Sequence, residues 1–145
     1  MKGTLRQLAV LALVGGAIWA LTAWPLLDDV ETGRTPEYPQ LQVKAFLAGE
    51  DKVARAAEQT IKSLPGWTLV GMGYGPGGTS LQAVREGPVF GLKNDVTIRL
   101  WREGDMTRVS VRSRSQPGKL DLKLDFGQNA RNIRELLDEL GRQML

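Results

Sequence analysis

DVTIRLWREGDMTRVSVRS, residues 95–113, decides the fold. Val96, Ile98 and Leu100 alternate with Thr97, Arg99 and Trp101, and after Glu103, Gly104 and Asp105 the pattern resumes with Val109 and Val111 against Arg108, Ser110 and Arg112. Successive side chains of a strand point to opposite faces, so each run has one apolar and one polar face. Two such runs joined by a short glycine-containing break predict an antiparallel hairpin over Asp95–Arg102 and Thr107–Ser113.

Upstream, Trp67–Met72 and Thr79–Arg85 read as two further strands around the turn Gly73–Gly78, and Gly87-Pro88 separates them from the hairpin. A helix is expected over Glu50–Leu64. Val53, Ala57, Ile61 and Leu64 recur at helical spacing, Glu50 and Asp51 stand in its first turn, and Pro65-Gly66 ends it. A second helix is expected from Gly127 to the C-terminus, with Phe126, Ala130, Ile133, Leu137, Leu140 and Met144 in one row and Leu136 widening it. Each helix has one apolar stripe and the strands have one apolar face. The expected fold is therefore a two-layer α+β domain, order α-β-β-β-β-α, in which a four-stranded antiparallel meander carries both helices on one face. Arg99, Trp101, Arg108 and Arg112 belong to the other face.

The chain opens differently. Leu8–Leu27 is an uncharged stretch of about 20 residues, preceded by Lys2 and Arg6 and followed by Asp28, Asp29 and Glu31. That length matches a hydrocarbon core of roughly 30 Å, and the charge step sets an orientation with the N-terminus cytoplasmic. A cleaved signal peptide is the rival reading, with small residues at Leu21-Thr22-Ala23, but its apolar region would run only about 7–15 residues. Residues 1–27 are thus expected as a single transmembrane anchor in the inner membrane, with lipid as the partner of residues 8–27. Residues 28–145 are expected as the exported domain. Within it, residues 28–40, with Gly33, Pro36 and Pro39, read as a strap or linker.

Composition removes several classes of chemistry. The chain has no cysteine and no histidine, so disulfides, Cys/His zinc sites, Ser-His-Asp triads and histidine bases are excluded. No metal or cofactor is expected. Once Lys2 and Arg6 are set aside, 17 basic residues face 16 acidic ones, a balance that argues against nucleic acid. The charge is uneven, with 11 basic against 6 acidic residues over Arg85–Arg134, which favours anions or simply a solvated sheet face. Gly73–Gly78 lacks the Gly-Lys-Ser/Thr ending of a phosphate loop and leads into a strand, so it reads as a hairpin.

One constellation qualifies as a candidate ligand site. Arg112, Ser113, Arg114 and Ser115 leave the last strand, and Asp125 and Asn129 enter the last helix, so guanidinium, hydroxyl, amide and free helix N–H groups could converge on an anion. The competing reading has the arginines and Asp125 pairing, with the rest capping the helix. Asp121 and Asp125 could also line one site as the carboxylate pair a hydrolase uses, but Asp125 stands just before the last helix and reads rather as its cap.

Three landmarks carry a family likeness: Asn94-Asp95-Val96 with residues 109–115 (VSVRSRS), DFGQNA at 125–130, and Asp29–Thr32 followed by Pro36 and Pro39. With Leu64–Trp67 they resemble the bacterial and plastid domain of unknown function 1499 (DUF1499). The resemblance implies a small exported or membrane-tethered domain in which Asp29–Pro39 is part of the folded unit. The expected function is a non-enzymatic, membrane-anchored interaction or binding module facing the periplasm or an equivalent space. An accessory subunit of a larger membrane complex is the second reading, with Gly15, Gly16 and Ala17 as a packing patch against a membrane-protein partner. A hydrolase of an anionic substrate using Arg112, Arg114, Asp121 and Asp125 is the third.

Overall fold

The hairpin at 95–113 forms, and each of its strands runs past the alternating pattern. The computed structural model describes residues 2–23, 27–87, 91–117 and 127–145, with the side chains of the first helix described over 4–18. In chain order the elements are α1 (Lys2–Ala23), β1 (Asp29–Glu31), β2 (Lys44–Phe46), α2 (Glu50–Ser63), β3 (Trp67–Gly75), β4 (Gly78–Glu86), β5 (Lys93–Glu103), β6 (Met106–Ser115) and α3 (Gln128–Gln143).

The sheet is antiparallel throughout, with strand order β1-β6-β5-β4-β3 and β2 also paired to β6. The expected four-stranded meander is therefore corrected to six strands. The two additional ones are three residues each and share one partner. β1 lies against Arg112–Arg114 and β2 against Thr107–Val109, so together they behave as one edge strand interrupted by residues 32–43. Neither is long enough to show the period-2 alternation by which the other four were recognised. The strap closes on itself where it leaves and rejoins the edge. Gly33 N–H donates to Leu41 O at 2.7 Å, and Tyr38 and Leu41 turn back into the core.

The register confirms the inward row. Asn94, Val96, Ile98 and Leu100 of β5 lie beside Ser115, Ser113, Val111 and Val109 of β6 in turn, and all but the half-buried Ser115 are buried. α2 covers β3–β5 with Val53, Ala57 and Ile61, and α3 covers β6 and β1 with Ala130, Ile133, Leu136, Leu137 and Leu140. Each buried aliphatic side chain contributes about 1.5–3 kcal/mol relative to exposure. Both helices sit on one face, as expected, and they end within a residue or two of their expected limits where these are described. Ser110 departs from the pattern. It belongs to the outward row yet is buried, because Thr32 lies against it with the two hydroxyls 3.1 Å apart.

The Gly73–Gly78 turn tightens. β3 runs to Gly75 and β4 begins at Gly78, leaving Pro76 and Gly77 as a two-residue loop. Gly78 has φ 109°, and a Cβ there would come within 1.9 Å of Leu100 O, so only glycine fits.

The largest correction concerns the N-terminus. α1 as described ends at Ala23, so it contains Leu8–Ala23 of the uncharged stretch, about 24 Å at 1.5 Å per residue. That falls short of a hydrocarbon core of roughly 30 Å. Among the described residues no helix is long and apolar enough to cross a membrane, and the expected transmembrane helix is withdrawn. Trp24, Pro25 and Leu26 lie outside the described residues.

Candidate functional site

Strand alternation separates the residues expected to converge. In β6, Ser113 and Ser115 belong to the helix-covered side, whereas Arg112 and Arg114 project to the open side. The guanidinium and hydroxyl groups are therefore on opposite faces of the sheet. Asp121 and Asp125 lie outside the described residues.

On the covered side, Asn129 in the first turn of α3 is the hub. Its Oδ1 accepts from Ser113 Oγ at 2.7 Å and Asn94 Nδ2 at 3.1 Å, and its Nδ2 donates to Ser115 Oγ at 2.9 Å and Leu27 O at 3.3 Å. Asn132, one turn on, donates to Ser113 Oγ at 3.2 Å and accepts from Gln128 Nε2 at 2.7 Å. Asn94, Ser113, Asn129 and Asn132 are at most 3% exposed. Buried amides without partners are costly, so a cluster this deep stays folded only because its members satisfy one another. One acceptor, Asn94 Oδ1, has no partner among the described residues. No member of the cluster carries a charge. It can orient and discriminate by hydrogen bonding, and it ties β5, β6, α3 and the approach to β1 together.

The residue at the cap position of α3 is a glycine, which has no side chain to cap with. Gly127 occupies the cap position in the left-handed region at φ 74°, and Arg131 N–H closes the first turn onto Gly127 O at 3.1 Å.

On the open side the arginines are paired. Arg112 forks onto the Asp29 carboxylate, with Nε donating to Oδ1 at 2.8 Å and an Nη donating to Oδ2, and Arg114 Nε lies 3.6 Å from the same carboxylate. The hydrogen bond from Arg112 holds Asp29 below its usual value near 3.8, partial burial opposes the shift, and the charges of Arg112 and Arg114 reinforce it. Arg112 is pushed above its own usual value by the same bond. Arg108 pairs with Glu103 at 2.6 Å. Of the basic excess read from residues 85–134, Arg112 and Arg114 are therefore answered on this face from outside that stretch by Asp29 of β1, while Arg108 pairs within it. Among the described residues Arg99, flanked in register by Ser80 and Ser110, carries no ion pair.

Asp29, Asn94, Gln128 and Asn132 were absent from the residues expected at the site. The signal for Asn94 was available, since it occupies the inward row two residues before Val96. The signal for Asn132 was its position one turn after Asn129. Asp29 could not be placed without knowing that residues 29–31 form a strand beside β6. Among the described residues no group of three or more acidic side chains could hold a metal ion.

The fold and the site define a class: a two-layer α+β domain whose terminal helix is locked to the sheet by an uncharged polar cluster. The chain belongs to the family described as Protein of unknown function (DUF1499), whose model matches residues 24–140. No curated protein matches it. Among solved structures it is similar to CalU16 from Micromonospora echinospora, at 18% identity over 70% of this chain and 73% of that one, with a TM-score of 0.41. Ara h 8.0201 is a second, at 14% identity over 79% and 96%, with a TM-score of 0.32. Likeness at that level carries no functional argument.

Proposed function

We propose that the protein is a non-enzymatic interaction module held at a membrane through α1, with the α+β domain as the part that meets its partners. One observation carries the reading. Leu5, Leu8, Val10, Leu11, Leu13, Val14 and Ile18 of α1 are all exposed, whereas the apolar rows of α2 and α3 are buried on the sheet. Leaving one such side chain in water forgoes about 1.5–3 kcal/mol, and a lipid surface recovers it without the helix crossing the bilayer. The hydrolase reading is not favoured, because Arg112, its proposed substrate contact, is held by Asp29.

Cell fractionation of the full chain tests this. The protein is expected to sediment with the membrane pellet, and the double variant Leu11→Asp, Val14→Asp is expected to release it. Recovery of the unaltered chain in the soluble fraction contradicts the proposal.

A further inference from the structure

The two edges of the sheet are finished differently. The β1/β2 edge is made of two three-residue strands parted by a strap that folds back over it. At the other edge, β3 is nine residues long, carries no charge from Trp67 to Gly75, and has no second neighbour among the described residues. Val70 and Tyr74 stand 65% and 74% exposed along it. Native sheets usually guard an open edge with lysine, proline or a short strand, since unpaired N–H and C=O groups recruit another strand. A β-bulge is a further such guard, and the register shift here, between Leu69 and Gly71, leaves Met72 to Gly75 uninterrupted beyond it.

The geometry points to a second copy of this chain as the occupant, pairing β3 with β3 antiparallel across a two-fold axis at Gly73. The closing pair Gly75–Gly78 of the two-residue hairpin is hydrogen-bonded, so alternation turns the N–H and C=O groups of Met72 and Tyr74 away from β4. Those two residues are an even step apart. In a two-fold pair centred on Gly73, Met72 of one copy stands opposite Tyr74 of the other, and the outward groups of both satisfy each other. On the helix side the pair sets a thioether against an aromatic ring, a favourable contact. On the open side Gly71, Gly73 and Gly75 leave nothing to obstruct the approach. An uncharged strand also suits self-pairing, because a charge near the axis would face its own copy across the seam. The seam is short, so the pair lies at the low end of interface size and is reversible with concentration.

The absence of cysteine makes the test direct. A non-hydrogen-bonded antiparallel pair places its Cα atoms about 4.5 Å apart, within disulfide reach. In the full chain, Gly73→Cys is expected to form an intermolecular disulfide under mild oxidation, whereas Gln82→Cys, one strand inward on the same face, is not. Copies gathered only through α1 would link both variants equally, which would overturn the inference. Tyr74→Lys, read without any cross-link by sedimentation, is expected to weaken self-association about tenfold. A chain that stays monomeric at every concentration, or a Tyr74→Lys variant that associates as the parent does, refutes the pairing and leaves the edge to some other strand.

Discussion

The closed and open edges of one sheet show how differently the same backbone is secured. At the β1/β2 edge every kind of restraint is present: main-chain pairing to β6, the Thr32 hydroxyl accepting from Val111 N–H at 3.0 Å, the Asp29–Arg112 fork, and the Asn129 amide reaching Leu27 O. At the β3 edge, among the described residues, only the inward side is held, through Trp67 Nε1 donating to Glu135 at 3.2 Å and through packing under α2. Residues close in space to α3 are thus rigidly specified, and residues at the far edge are free to meet another strand.

Breaking the closed edge at its hub is expected to have the largest effect. Asn129→Ala strands the partners Ser113 and Asn94 in a buried setting, and a loss of about 3 kcal/mol is expected in urea unfolding. The strap comes next. Leu41→Ala removes a side chain that is 4% exposed from the core cluster, and about 2–3 kcal/mol is expected by the same measurement. Its companion test is limited proteolysis, in which cleavage should appear within residues 32–43 before any appears in β5.

The Asp29 fork is worth less. Asp29 and Arg112 are 35% and 44% exposed, so solvent and salt screen the pair, and Asp29→Asn is expected to cost under about 1 kcal/mol. The sign with pH follows from the depressed carboxyl: its contribution is present in full above the unfolded value near 3.8 and disappears as pH falls through the lower folded value. The Asp29→Asn variant should therefore match the parent only at pH values below that window, which acid titration of stability at low salt would show. At the open edge Val70→Lys should leave stability within about 0.5 kcal/mol, while lowering self-association.

These contrasts also explain what could be read from the sequence. The four long strands and both domain helices were legible, because Val96, Ile98 and Leu100, and Ala130, Ile133 and Leu137, repeat at the periods their elements demand. β1 and β2 were not, since three residues carry no period and their place depends on β6 many positions away. The candidate site was legible in its residue types and wrong in its geometry. Arg112 to Ser115 are contiguous in sequence, but period-2 alternation divides them between two faces, and the same alternation, carried into β5, puts Asn94 in the buried row. The length of the uncharged stretch Leu8–Leu27 suggested a span that the described helix, ending at Ala23, does not supply.

The difference between the edges is tested most directly by hydrogen exchange at individual amides in dilute protein, repeated at high concentration. Val111, whose N–H is buried against Thr32, should exchange slowly in both. Met72 and Tyr74 should exchange fast when dilute and gain protection as concentration rises. Slow exchange of Met72 and Tyr74 in dilute protein, on a par with Val111, would contradict the account.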